Sequence, residues 1–285
     1  MTRPTDHEKL AIDGGEPVIK NPLPKGVSGP SVIGDEEIQA VTDVMRNKQL
    51  FRHLPESETQ KMEKEAREYL GSSYSLMLNS GTSALICALT GVGIGPGDEV
   101  IVPGYTYIST AAAVVATGAV PVIAEIDDSL GLSPEDAESK ITPYTKALIP
   151  VHMRGVPCKL AALLDVAKRN GLKLVEDCCQ SVGGQYRGRK LGTWGHAGAW
   201  SLNYYKTIST GEGGLVYTDD KDVFERACLL SDPGLPMWKT DDQALDWEND
   251  PFPRQTYRAS EIVSAIARVQ LSKIEEIVKH QRSLK

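Results

Sequence analysis

The sequence is short of cysteine, of positive charge and of long apolar runs, and each shortage removes a class of protein. Its five cysteines (Cys87, Cys158, Cys178, Cys179 and Cys228) are odd in number and include no C-x-x-C pair, so they read as reduced thiols, not as a disulfide framework. The five histidines, His7, His53, His152, His196 and His280, show no i, i+4 pairing with one another or with cysteine, which leaves no metal-ligand spacing. With a formal charge of −7 the chain lacks the basic face that nucleic acid or an anionic membrane surface would select. The longest apolar-rich run, residues 111–124, is broken by Thr117, Gly118 and Pro121 and is too short to span a bilayer. No charged-then-apolar leader opens the chain, so a cytoplasmic address is expected.

What is present is the composition of a soluble globular protein, 41% hydrophobic and 24% charged over 285 residues, enough for one large domain and a fraction. Its expected partner is a small molecule. Pro4, Gly14, Gly15, Pro17, Pro22, Pro24, Gly26 and Pro30 make residues 1–30 an extended arm. Order is expected from Ser31, with helices over 37–45 and 56–70. Short apolar segments then follow at 75–78, 99–102, 120–124, 147–151, 172–175, 199–202 and 214–218, with helical stretches at 82–90, 110–116, 159–170 and 222–230 between several of them. Strands that alternate with helices need crossovers, which predicts an α/β fold with a mostly parallel central sheet and helices on both faces. Ligands of such sheets bind beyond the carboxyl ends of the strands. Residues 232–255 read as a loop rich in Pro, Asp and Trp, and 259–282 as one long helix with Ile262, Ile266, Val269, Ile274 and Ile277 on a shared face.

Three places carry chemistry. At Asn79-Ser-Gly-Thr-Ser a strand ends and a helix begins, so free amides face any anion there, although the same residues also suit a plain N-cap turn. Asp177 closes the apolar segment 172–175 and either caps a turn or meets a cation, and Gln180 follows it as a loop hydrogen-bonder or a ligand contact. Cys178 and Cys179 read as small wall residues. Lys206 stands between the apolar segment 199–202 and the Gly211-Glu-Gly-Gly turn; its neighbours Trp200, Leu202, Tyr204 and Tyr205 suggest burial, which would free its amine for Schiff-base formation.

Together these positions resemble the DegT/DnrJ/EryC1/StrS sugar aminotransferases, pyridoxal phosphate enzymes of fold type I. The resemblance runs in register over residues 30–282, through Asn-Ser-Gly-Thr-Ser-Ala-Leu at 79–85, Gly-Asp-Glu-Val-Ile-Val-Pro at 97–103, Thr-Tyr-Ile-Ser-Thr at 106–110, Ile-Pro-Val-His-Met at 149–153, Val-Glu-Asp-Cys-Cys-Gln at 175–180, the stretch 201–214 and Tyr-Arg-Ala-Ser-Glu at 257–261. It implies that Lys206 holds pyridoxal 5′-phosphate as an internal aldimine, that Asp177 pairs with the ring nitrogen, and that Gln180 bonds the ring hydroxyl. By the same likeness Tyr107 stacks on the ring, and Gly81, Thr82 and Ser201 bind the phosphate. Relatives with histidine in place of the lysine dehydrate their substrates, so Lys206 favours amino transfer. Thr256 stands where the family has an asparagine that reaches the neighbouring subunit's phosphate.

The resemblance also divides the chain into the arm 1–30, a cofactor-binding large domain over 31–258, and a helix over 259–285 leading toward a small domain that this sequence lacks. It implies a homodimer with shared active sites, an amino donor such as glutamate or glutamine, and a keto sugar, keto sugar acid or keto cyclitol as acceptor. Arg52, Arg154 and Arg258 are candidates for a substrate carboxylate or phosphate, and equally for ordinary ion pairs. A subunit that binds cofactor but needs a partner chain for turnover is the alternative function.

Overall fold

A computed structural model describes residues 9–21, 26–234 and 255–284; most of the loop expected over 232–255, and residues 1–8 and 22–25 of the arm, lie outside the described residues. The elements run α1 (Asp35–Asn47), α2 (Glu58–Leu70), β1 (Tyr74–Leu78), α3 (Gly81–Gly91), β2 (Glu99–Pro103), α4 (Ser109–Ala116), β3 (Val120–Ala124), α5 (Pro134–Ser139) and β4 (Thr145–Leu148). They continue with α6 (Leu160–Asn170), β5 (Lys173–Asp177), β6 (Gln185–Tyr186), β7 (Arg189–Lys190), β8 (Ala197–Ser201), β9 (Gly214–Thr218), α7 (Lys221–Ser231), α8 (Glu261–Ser272) and α9 (Ile274–Ser283).

Seven strands form one sheet in the order β1-β9-β8-β5-β4-β2-β3. All neighbours are parallel except at β9, which runs antiparallel to both β1 and β8. The strands are nearly continuous apolar runs because both faces are covered. Alternation divides them: Met77, Ile101, Leu148, Leu174, Trp200 and Leu215 enter one core with α2, α6 and α9, while Leu76, Leu78, Val100, Val102, Val175 and Val216 enter the other with α3 and α7. The sheet is therefore a rigid floor, and β5 and β8 end on one side of it, at Asp177 and Ser201.

The expected long C-terminal helix is two helices. Lys273 separates them, and its ammonium reaches the carboxylate of Glu37 at 2.9 Å and the carbonyl of Val32 at 3.2 Å, tying the break to α1 and the arm. The expected buried face is also shifted: α8 buries Glu261, Ser264, Ala265, Ala267, Gln270 and Leu271, whereas Ile262, Ile266 and Val269 are half-buried. Glu261 determines this rotation, since its carboxylate accepts from the hydroxyls of Ser57 and Thr59 and from the Glu58 amide at the start of α2. In the arm, Gly29 fits a place where a Cβ would lie 2.8 Å from the Gln270 side chain, and its amide donates to the carbonyl of Lys206 at 3.3 Å. The arm thus reaches the turn that carries the lysine.

Candidate active site

A cleft of about 790 Å³ opens at the strand ends, and its wall includes Gly81, Thr82, Tyr107, Asp177, Gln180, Ser201 and Lys206. Seven residues separated by up to 125 positions in sequence are brought together by the crossovers.

One end of the cleft is the start of α3. Ser80 caps the helix by accepting from the Ser83 amide at 3.1 Å, and Asn79 accepts from the Ser83 hydroxyl at 2.6 Å. The backbone N–H groups of Gly81 and Thr82 have no acceptor among the described residues. A helix start with two such amides is an anion site, and the helix dipole adds roughly 0.3–2 kcal/mol to whatever hydrogen bonds form. Gly81 must be glycine, because a Cβ there would stand 2.5 Å from the Cβ of Ser201. That close approach carries the Ser201 hydroxyl to the helix start. The Thr82 hydroxyl donates to Ser109 at the first turn of α4, which adds a further hydroxyl to the same end.

The floor is Asp177, the last residue of β5 and 4% exposed. One carboxylate oxygen accepts from Thr110 at 2.8 Å and the other from the Cys179 amide at 3.0 Å. Thr106 lies 2.8 Å from Thr110, and because Thr110 spends its proton on Asp177, Thr106 is the donor in that contact. Beneath the floor, Glu176 accepts from the amides of Gly192, Trp194 and Gly195 at 2.7–2.8 Å and from His152 at 3.0 Å. His152, Glu176 and Cys178 lie close enough to suggest a metal cluster, but these bonds make the group a brace that holds β5. Burial pushes the Cys178 and Cys179 thiols well above their usual range, the nearby carboxylates adding to the effect, so both act as wall residues.

Lys206 lies on the turn between β8 and β9. Its amide donates to Asn203 at 3.0 Å and its carbonyl accepts from Gly29, so the backbone is fixed at both ends. The side chain is half-buried in the cleft. The expected burial by its neighbours holds for Trp200 and Leu202, at 1% and 0% exposed, but Tyr204 and Tyr205 are exposed at 55% and 86%. The strand alternation ends at Ser201, and the turn directs both tyrosines outward. Gln180 is half-buried in the wall and Tyr107, 67% exposed, stands at the mouth.

Of the three candidate arginines, only Arg154 borders the cleft. Arg52 is buried and bonded to Glu63 at 2.8 Å. Arg258 pairs with Asp232 at 2.5 Å, whose other oxygen lies 2.8 Å from His53. Burial would raise the Asp232 carboxyl, but His53, the Gly234 amide and the Arg258 charge outweigh it and bring it down to about 2. A folded-state value below the unfolded one contributes stability above about pH 4 that is lost as pH falls through about 2. The difference in urea midpoint between wild type and Asp232→Asn is therefore expected to be constant from pH 7 to about pH 4 and to shrink below it. A gap that widens with acid would overturn this assignment.

Thr110, Ser109, Thr106, Asn203, Glu212 and Ser28 also line the cleft and were not assigned roles from sequence. The hydroxyls of 106–110 precede and open a helix that follows a strand end, which is a usable signal. Ser28 carries none, since it arrives by packing of the arm.

A doubly covered α/β sheet thus brings a lysine, a floor carboxylate and a helix start together on one cleft. Residues 31–285 match the DegT/DnrJ/EryC1/StrS aminotransferase family, and the chain belongs to it. It is 35% identical over 257 residues to the spore coat polysaccharide biosynthesis protein SpsC of Bacillus subtilis, covering 89% of this chain and 65% of that protein. It is 40% identical over 215 residues to the GDP-perosamine synthase of Caulobacter vibrioides, covering 75% of this chain and 56% of that protein. Among solved structures, DesV of S. venezuelae, determined in complex with a ketimine intermediate, superposes with a TM-score of 0.75 at 36% identity over 85% of this chain and 62% of its own. The chain thus spans less than two thirds of the length of these relatives. No helix among the described residues is long and apolar enough to cross a membrane.

Proposed function

We propose that this chain is a pyridoxal-phosphate-dependent aminotransferase that moves an amino group from glutamate or glutamine to a ketone of a sugar, sugar acid or cyclitol. The observation that carries the reading is the convergence of Lys206, Asp177 and the unbonded amides of Gly81 and Thr82 on one cleft. The donor set fits the cofactor: an amine for its aldehyde, a carboxylate for its ring nitrogen, and a helix start with the Thr82, Ser109 and Ser201 hydroxyls for its phosphate. When bound, pyridoxal phosphate supplies an aldehyde that condenses with amines and a ring that takes up the electron pair left when a carbon loses its proton.

The protein's part is positioning and proton handling. The Gly81 and Thr82 amides would anchor the phosphate, and Asp177, held by Thr110 and Cys179, would pair with the ring nitrogen and favour its protonated form. Tyr107 at the mouth would cover one ring face, and Gln180 in the wall would bond the ring hydroxyl. The Lys206 amine, which lines the cleft, would hold the cofactor through its aldehyde and would be the base that takes the proton from the donor's α-carbon. The same amine would return a proton to the acceptor's carbon when the ketone is aminated.

A second copy completes the assembly in this reading. Ile108 just before α4, Val115 on α4, and Val120 and Ile123 on edge strand β3 stand 72%, 60%, 54% and 64% exposed, near Tyr107 in sequence, and offer apolar surface that a homodimer would cover. Light scattering should return twice the monomer mass.

The test of the reaction is to add pyridoxal phosphate and then L-glutamate to the purified protein. A visible band that glutamate bleaches with release of 2-oxoglutarate supports the reading; a band that forms and never bleaches sinks it. Thr110→Val should lower cofactor affinity about tenfold, the size of a lost hydrogen bond to a charged group, as read by equilibrium dialysis. Unchanged affinity would show that Asp177 does not depend on Thr110.

A further inference from the structure

Arg154 lines the same cleft as Lys206 and Asp177, and its side chain is exposed, with no hydrogen bond or ion pair to any of the described residues. The other charged groups of that wall are engaged or opposite in role: Asp177 holds Thr110 and the Cys179 amide, Glu212 holds Asn203, and Lys206 is the amine of the proposed chemistry. Among the described residues Arg154 is thus the one guanidinium on the cleft, the other two candidate arginines being committed to Glu63 and Asp232.

Its backbone adds a second observation. Arg154 sits at φ 52°, ψ 28°, in the left-handed region that a residue with a Cβ avoids, and Gly155 follows at φ 81°. The strained turn is rigidly founded. His152 is fully buried, bonded to Glu176 on one side and accepting from the Cys158 amide on the other, and the Val156 amide closes the turn onto Met153 at 2.9 Å. The turn thus presents the Arg154 side chain to the cleft from a fixed base.

Resting on the aminotransferase reading, we infer that Arg154 binds an oxyanion, a carboxylate or a phosphate, carried by a substrate of this cleft. A guanidinium is charged at every working pH and offers a planar fork that matches either group with two parallel hydrogen bonds. Two sources supply that chemistry: the carboxylate of the amino-acid donor, or an acidic substituent on the keto acceptor. In the second case the acceptor is an acidic or phosphorylated sugar or cyclitol, and the enzyme discriminates against the neutral analogue.

The experiment compares cofactor-loaded wild type with Arg154→Gln and Arg154→Lys. L-Glutamate is titrated by the visible spectral change, and D-glucuronate and D-glucose 6-phosphate are titrated by calorimetry. At least one of the three is expected to bind Arg154→Gln tenfold or more weakly, with Arg154→Lys in between and the cofactor spectrum unchanged. A loss confined to glutamate assigns the donor; a loss for either sugar assigns the acceptor. Equal binding of all three to wild type and Arg154→Gln, or no binding of any to wild type at millimolar concentration, overturns the inference. Borohydride reduction of the same samples separates the two claims: absence of a stable adduct in wild type removes the aminotransferase reading itself, whereas an adduct with unaltered anion binding removes only the role of Arg154.

Discussion

Lys206→Ala is expected to abolish the borohydride-stable adduct with pyridoxal phosphate and to lower amino transfer by roughly 10³-fold or more, since it removes both the covalent anchor and the group that moves the proton. The structure makes this a clean substitution. The turn that carries Lys206 is fixed by backbone bonds from its own amide to Asn203 and from Gly29 to its carbonyl, neither of which needs the side chain. The side chain is half-buried in an open cleft, so alanine leaves no closed cavity in the core. Denaturant midpoints should match wild type within about 0.5 kcal/mol, the usual range for a change away from packed groups. The cleft end formed by Gly81, Thr82 and Ser201, the proposed phosphate site, is untouched, so the cofactor should still bind, reversibly and without the adduct. Mass spectrometry of the reduced, digested protein reads the outcome. An adduct that survives in Lys206→Ala at wild-type yield would place the anchor on another amine and remove the central assignment.

Why was so much of the fold legible? The strands are buried on both faces, so they appear in sequence as apolar runs ended by Gly, Pro or Asp, and the crossovers between them as amphipathic helices. What those local patterns omit is anything fixed by distant partners. That β9 runs against both its neighbours depends on pairing with β1, about 140 residues earlier. The face that α8 buries is chosen by the contacts of Glu261 with Ser57 and Thr59, not by its own aliphatic spacing, and α5 is too short, at six residues, to show a period. The site divides in the same way. Lys206, Asp177 and Gly81 stand at the ends of elements with turn chemistry beside them, so their segments drew notice. Thr110 and Ser28 owe their places to packing between elements, and Tyr204 and Tyr205 read as buried only because their neighbours are. Arg52 and Arg258 show the limit most plainly, since nothing near either residue in sequence reveals that Glu63 and Asp232 are waiting for them.

Arg52→Ala is expected to destabilise the fold by about 3–5 kcal/mol, the cost of removing one member of a buried charge pair. Arg52 and Glu63 are 5% and 1% exposed, and their contact at 2.8 Å links the segment before α2 to the helix itself. Glu63 also accepts from the Met77 amide at 2.8 Å, so the pair joins α2 to the end of β1, just before the turn that leads into α3 at the cleft. Burial works against the charge on Arg52, but the neighbouring carboxylates, Glu63 foremost, hold the guanidinium more firmly than water would. Alanine removes that guanidinium from a carboxylate that is itself buried, at 1% exposed. The pair itself need not add stability. Replacing both residues, as in Arg52→Met with Glu63→Gln, should recover much of the loss, because an apolar group beside a neutral amide strands no charge. Urea denaturation of the three proteins measures this. The substrate-contact reading of Arg52 makes the opposite forecast, an unchanged midpoint with weakened substrate binding, and finding that pattern would return Arg52 to the active site.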